Sequence, residues 1–214
     1  MRTLIFGTSY IGDANAYWIA RQWLHLNELL NPGTDVLVVD SASPIPFPTG
    51  NRWLIQLGDN IGHPSRGGSD GWGRAFCVGL EYAIACEYDL AVHIETDLLC
   101  AVPVHEIIAS SREALITAQA TPYLFIETGL MAINTAWAYG INLVDKYDWA
   151  SNTYGDKPEE RIKRICNQGG IDTSRLRGRR DEWQDGSVKD HDYLTHATIP
   201  TFLRFLEFRK INSA

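Results

Sequence analysis

Glu95 and Asp97 are the residues of this 214-residue chain best placed to do chemistry, because an apolar run from residue 90 stops at them. Val92 and Ile94 give that run β-branched character at strand length. Side chains two apart on a strand share a face, so both carboxylates project together beyond the strand end if the extended conformation persists past Ile94. Two hard oxygen donors held there suit Mg²⁺ or Mn²⁺, and such a cation can in turn bind a substrate diphosphate. The competing reading is a strand end followed by a helix cap. Glu87 with Asp89 and Asp190 with Asp192 have the same spacing, but no apolar strand precedes either.

The elements around this stretch alternate between strand and helix. Residues 3–6 read as a first strand that breaks at Gly7, Thr8, Ser9 and Tyr10, and a loop there faces a ligand crevice in an open α/β sheet. Asp13 is a cap for a helix over 14–30, whose Trp18, Trp23, Leu26, Leu29 and Leu30 form an apolar face ended by Asn31, Pro32 and Gly33. Residues 36–39 form a second strand with a polar exit from Asp40 to Ser43. Residues 53–57 form a third, leaving through Gly58, Asp59, Asn60, Ile61 and Gly62. The Gly- and Ser-rich stretch 63–73 reads as a mobile loop, and helical spacing resumes over 74–86. Further on, the pattern gives a short helix over 103–111, a strand over 114–119, an apolar segment over 125–134 interrupted by Glu127, Thr128 and Gly129, and a charged helix over 158–167. The polar stretch 175–191, with Arg175, Arg177, Arg179 and Arg180, reads as a lid or a solvated loop. The alternation implies one α/β domain with a mostly parallel central sheet flanked by helices. The exits of the strands at 3–6, 36–39 and 90–94 then converge on one cleft holding Thr8, Asp40, Glu95 and Asp97.

Hydrophobic residues make up 45% of the chain and charged residues 21%, which excludes a disordered or fibrous protein. A net charge of -7 argues against a broad nucleic-acid footprint. Cys77, Cys86, Cys100 and Cys166 form no paired metal spacing and read as reduced thiols. No signal-peptide core and no membrane-spanning run are present, so the expected setting is the cytoplasm.

Taken in order, Asp40 to Ser43, Asn60 to Gly62, Gly73-Arg74-Ala75 with Gly79, Leu80 and Ala83, and Glu95-Thr96-Asp97 resemble the nucleotide-sugar half of GT-A-fold glycosyltransferases. The resemblance covers roughly residues 3–135 and is closest to the inverting members with an Asp-x-Asp-type motif. It implies a GT-A, Rossmann-like single domain, with a nucleotide-sugar-binding half over about 1–100 and an acceptor side and lid over about 101–214. It also implies a nucleotide diphosphate sugar donor, a glycan, lipid or small-molecule acceptor, and a Mn²⁺ or Mg²⁺ ion. By analogy Asp97 is the direct metal ligand, and Glu95, in place of the usual first Asp, reaches further toward a water or the ribose. Thr8, Ser9, Tyr10, Asp40, Asn60, Arg74, Glu95 and Thr96 become the candidate nucleotide-sugar contacts. Cys77 stands where the helix motif usually carries Asn, and the loop after Gly62 is long.

An inverting transfer needs a carboxylate to take the proton of the acceptor hydroxyl. Lys189 to Leu194 looks like a loose version of the family's acidic acceptor-side motif, which makes Asp190 the expected base, Asp192 its alternative and His191 a further metal ligand. A solvated acidic loop is the competing reading there, as turn capping is for Asp40, an exposed helix arginine for Arg74 and core packing for His93. At the level of function the alternatives are a sugar nucleotidyltransferase, whose glycine-rich basic signature is missing after the first strand, and a non-catalytic sugar-nucleotide-binding protein.

Overall fold

The computed structural model describes residues 1–48, 53–62, 69–108, 115–119, 126–150, 157–166, 171–174, 178–180, 193–195, 199–208 and 210. Three parallel strands lie beside one another at the heart of the sheet: β1 (Thr3–Ser9), β2 (Asp35–Asp40) and β4 (Leu90–Ile94), with β3 (Leu54–Gln56) outside β2. Beyond β4 come β7 (Ile126–Asn134), β6 (Leu115–Gln119) and β8 (Ile171–Ser174), completing seven strands in the order β3-β2-β1-β4-β7-β6-β8. β7 runs antiparallel to both of its neighbours and every other pairing in this sheet is parallel, so the architecture is the mostly parallel α/β domain expected. A second sheet was not expected: β5 (Leu98–Cys100), β10 (Tyr193–Thr195) and β9 (Gly178–Arg180) form a three-stranded layer. Residues 178–180, with Arg179 and Arg180, therefore belong to a strand, while the remainder of the proposed lid lies outside the described residues.

Side-chain alternation along the central strands splits the core in two. Ile5, Val38, Val92 and Ile94 face α1 (Ala14–Leu30) and α7 (Ile199–Phe208), against Trp23, Leu26, Phe202 and Phe205. Leu4, Phe6, Leu37, Val39 and Ala91 face the other way, onto Phe76, Leu80, Tyr147 and Ile162 from α2 (Ser69–Ala85), α5 (Leu143–Tyr147) and α6 (Pro158–Cys166). Two short helices, α3 (Val104–Ile108) and α4 (Thr135–Gly140), complete the domain. Asp13 caps α1 by accepting from Ala16 N at 2.8 Å, a contact that contributes about 1 kcal/mol.

Differences from the sequence reading gather at element ends. β1 runs three residues past Phe6, which puts Thr8 and Ser9 on the strand itself. α2 begins at Ser69, so residues 69–73 are helix and only 63–68 of the expected mobile loop lie outside the described residues. Glycine composition suggested a loop, but these glycines serve close packing. A Cβ on Gly71 would stand 2.8 Å from Gly62 Cα, and one on Gly73 would stand 2.5 Å from the Tyr147 ring. Cys77, Cys86 and Cys100 are free thiols, and burial pushes the Cys77 thiol up to about 12, which leaves it inert as a nucleophile.

Candidate functional site

Parallel pairing brings the carboxyl ends of β2, β1 and β4 side by side. Ser9 pairs with Asp40, and Ser41 N donates to Ser9 O at 2.9 Å. On the other flank Thr96 donates to Thr8 O twice, from its Oγ1 at 3.0 Å and its N at 3.3 Å. Thr8, Asp40, Glu95 and Asp97 thus stand along one edge of the sheet.

The acid pair does not lie on an extended strand. Leu98 N donates to Glu95 O at 2.9 Å, so the chain turns at 95–97 and the two-residue alternation ends at Ile94. That turn is fixed on both sides, since Glu95 N also donates to Gly129 O at 2.8 Å. Glu95 and Asp97 are partly exposed while Thr96 between them is buried. The result is two partly exposed acidic residues on a backbone held by Thr8 and Gly129. Among the described residues, no three His, Cys, Asp or Glu side chains gather into a metal cluster.

The remaining candidates are more heavily engaged. Asp40 is only 2% exposed; its Oδ1 accepts from Ser43 N at 2.8 Å and its Oδ2 from Ser43 Oγ at 2.5 Å, while Ser43 Oγ accepts from Ile11 N at 2.7 Å. The turn-capping role is realised, with Ala42 held at φ 56° inside the turn. Asn60 Oδ1 accepts from Gly62 N at 2.9 Å, closing its own turn. Arg74 pairs with Asp59 at 2.6 Å and lies over the Trp149 ring at 5.6 Å. Ser9 is buried and its Oγ has no hydrogen-bond partner among the described residues, whereas Tyr10 is 42% exposed.

Asp190, His191 and Asp192 lie outside the described residues. Their neighbour β10 is placed: Tyr193 pairs with Cys100 and Thr195 with Leu98. The end of β10 nearest Asp97 is therefore Thr195.

Sequence reasoning treated His93 as core packing, and it is indeed fully buried, yet both ring nitrogens are used at the site. Nδ1 is 2.8 Å from Thr128 O and Nε2 is 3.2 Å from Thr8 Oγ1. Burial lowers its pKa to about 4, against the smaller opposing effects of the Thr128 carbonyl and of Asp97, so the ring is neutral. Thr128 and Gly129 reach the site through an irregularity in β7: Thr117 pairs with Met131 but Ala118 pairs with Glu127. The three residues between lack partners on β6, a bulge of the sort found beside active sites. The interruption at Glu127, Thr128 and Gly129 was its only sequence trace.

No family model matches the chain, and no curated protein resembles it in sequence. Solved structures do resemble it. A glycosyltransferase involved in the glycosylation of the major capsid of PBCV-1 superposes with a TM-score of 0.56 at 10% identity, over 99% of this chain and 100% of that one. The galactosyltransferase LgtC, solved with donor and acceptor sugar analogs, gives 0.52 at 12% identity over 98% and 95%. The glycosyltransferase GlyE of Streptococcus pneumoniae TIGR4 gives 0.55 at 9% identity, over 99% of this chain and 60% of that one. At such identities the likeness establishes the shared fold.

The buried His93 makes a pH prediction. An unfolded chain takes up a proton there near pH 6.5, while the folded protein refuses it down to about 4, so this contribution is full above about 6.5 and is lost as the pH falls toward 4. Unfolding free energies of wild type and His93→Gln, followed in chelator by urea denaturation, should shift in the variant's favour by on the order of 3 kcal/mol between those limits. A constant difference would mean that His93 is not held neutral.

Proposed function

We propose that the protein transfers a sugar from a nucleotide diphosphate sugar to an acceptor hydroxyl with the help of bound Mn²⁺ or Mg²⁺. The observation that carries this reading is the turn at 95–97, where two partly exposed carboxylates are fixed at the shared carboxyl edge of β1 and β4. Open α/β sheets bind ligands at that edge.

The donor set fits such an ion, which takes one or two protein carboxylates and leaves other positions to water and substrate phosphates. When bound, it would offset the charge that develops on the departing diphosphate. Asp97 is assigned as the direct ligand, Glu95 as the longer arm toward a water or the ribose, and His191 as a further ligand. Tyr10, Thr8, Ser9 and Thr96 form the β1–β4 side of the nucleotide subsite, and Asp40 and Asn60 its β2–β3 side. Arg74 would exchange Asp59 for a phosphate; the cost is small because Asp59 is 63% exposed in that pair.

The acceptor side falls to residues 101–214, where Asp190, or failing it Asp192, takes the proton of the acceptor hydroxyl as the new glycosidic bond forms. A base in that position makes the transfer inverting. Sugar transfer of this kind, to a glycan, lipid or small-molecule hydroxyl, is assigned to the cytoplasm.

Two variants test the assignment. Asp97→Asn keeps the shape but loses the charge, so calorimetric binding of UDP should lose most of its dependence on Mn²⁺; unchanged dependence removes Asp97 from the ligand set. Asp190→Asn should lower turnover by about 10²- to 10⁴-fold with donor affinity little altered, since a general base acts after the donor is bound. Equal turnover in Asp190→Asn and Asp192→Asn, both at the wild-type level, would rule out a base in this motif.

A further inference from the structure

We propose that His93 is a positioning residue of this site, tying Thr8 on β1 to Thr128 on β7 across the strand that delivers the acid pair. The functional half of the inference rests on the nucleotide reading above; the structural half does not.

Hydrogen-bond chemistry fixes the direction of the link. Thr128 O can only accept, so Nδ1 carries the ring proton and donates at 2.8 Å. In a neutral ring Nε2 is then a bare acceptor, and Thr8 Oγ1 must donate to it at 3.2 Å. The ring is held in that orientation by Phe6 at 5.0 Å between centroids and by edge contacts with Trp72 and Phe76, each at 5.4 Å. An apolar residue would fill the volume, but it would leave Thr8 Oγ1 and Thr128 O without this partner.

One end of the link, Thr8, holds the acid turn itself, and the other, Thr128, adjoins the residue that holds its opposite side. Thr8 takes both Thr96 donors on its carbonyl, and Thr128 precedes Gly129, whose carbonyl takes Glu95 N. Fixing Thr8 and Thr128 at a set separation therefore fixes the two anchors of the 95–97 turn. A second consequence concerns ligand chemistry. The hydroxyl hydrogen of Thr8 is committed to His93, so toward a ligand this oxygen offers only lone pairs. It suits a ribose hydroxyl or an ion-bound water and is the wrong partner for a phosphate oxygen.

The test compares His93→Phe, which keeps a ring and removes both bonds, with His93→Gln, whose amide offers one donor and one acceptor, and with Thr8→Val. Two readouts are taken: hydrogen exchange of the Glu95 and Thr96 amides without ligand, and calorimetric affinity for UDP with Mn²⁺. His93→Phe and Thr8→Val should lose protection at those two amides selectively, while the Ile5 and Leu37 amides keep theirs. UDP affinity should fall roughly three- to tenfold in Thr8→Val, as expected for one lost hydrogen bond, and at least as far in His93→Phe, which loses two, and His93→Gln should recover most of it. Wild-type exchange at Glu95 and Thr96 in His93→Phe overturns the proposal, and so does a uniform loss of protection across the strands, which marks a merely structural role. If His93→Phe does not fold, Thr8→Val cuts the same bond and decides by the same readouts. Failure of the wild type to bind UDP would sink the nucleotide reading alone, because the exchange pattern decides the positioning role without ligand.

Discussion

The Thr8 carbonyl, which takes both the N–H and the hydroxyl of Thr96, is the contact on which the site depends. Past Ile94 the chain leaves the sheet, so no regular ladder holds the acid pair in place. Position is recovered from the two flanking strands instead: β1 supplies Thr8, and β7 supplies Gly129 through its bulge. A parallel neighbour on one side and an antiparallel neighbour on the other make this possible, since only the reversed β7 arrives at the site before entering its ladder with β4.

Electrostatics divides the acids at this edge into two kinds. Asp40 is buried, and Ser43 N and Ser43 Oγ donate to its two oxygens, so neither is left unsatisfied away from water. Glu95 and Asp97 are left partly exposed on the turn that follows β4.

The long, strongly patterned elements were legible. α1 was read with its cap at Asp13 and its bounds at 14 and 30, because period and capping chemistry agreed there, and β4 with its bounds at 90 and 94 from its β-branched apolar run. The start of α2 was not, since Gly71 and Gly73 read as loop until packing shows why side chains are excluded there. Neither was the turn after Ile94, which is set by partners 34 and 88 residues away in the chain. His93 was hidden for the same reason. A histidine among apolar residues looks like core, and its two hydrogen bonds lead to Thr8 and Thr128, which nothing local connects to it. The second sheet, joining residues 98–100 to 193–195, is likewise a long-range pairing of short strands.

The most direct measurement is anomalous scattering from crystals grown with Mn²⁺ and UDP. The account predicts a manganese peak between the Asp97 carboxylate and the diphosphate, at the carboxyl edge of β1 and β4. A nucleotide bound with its manganese away from the 95–97 turn would contradict it.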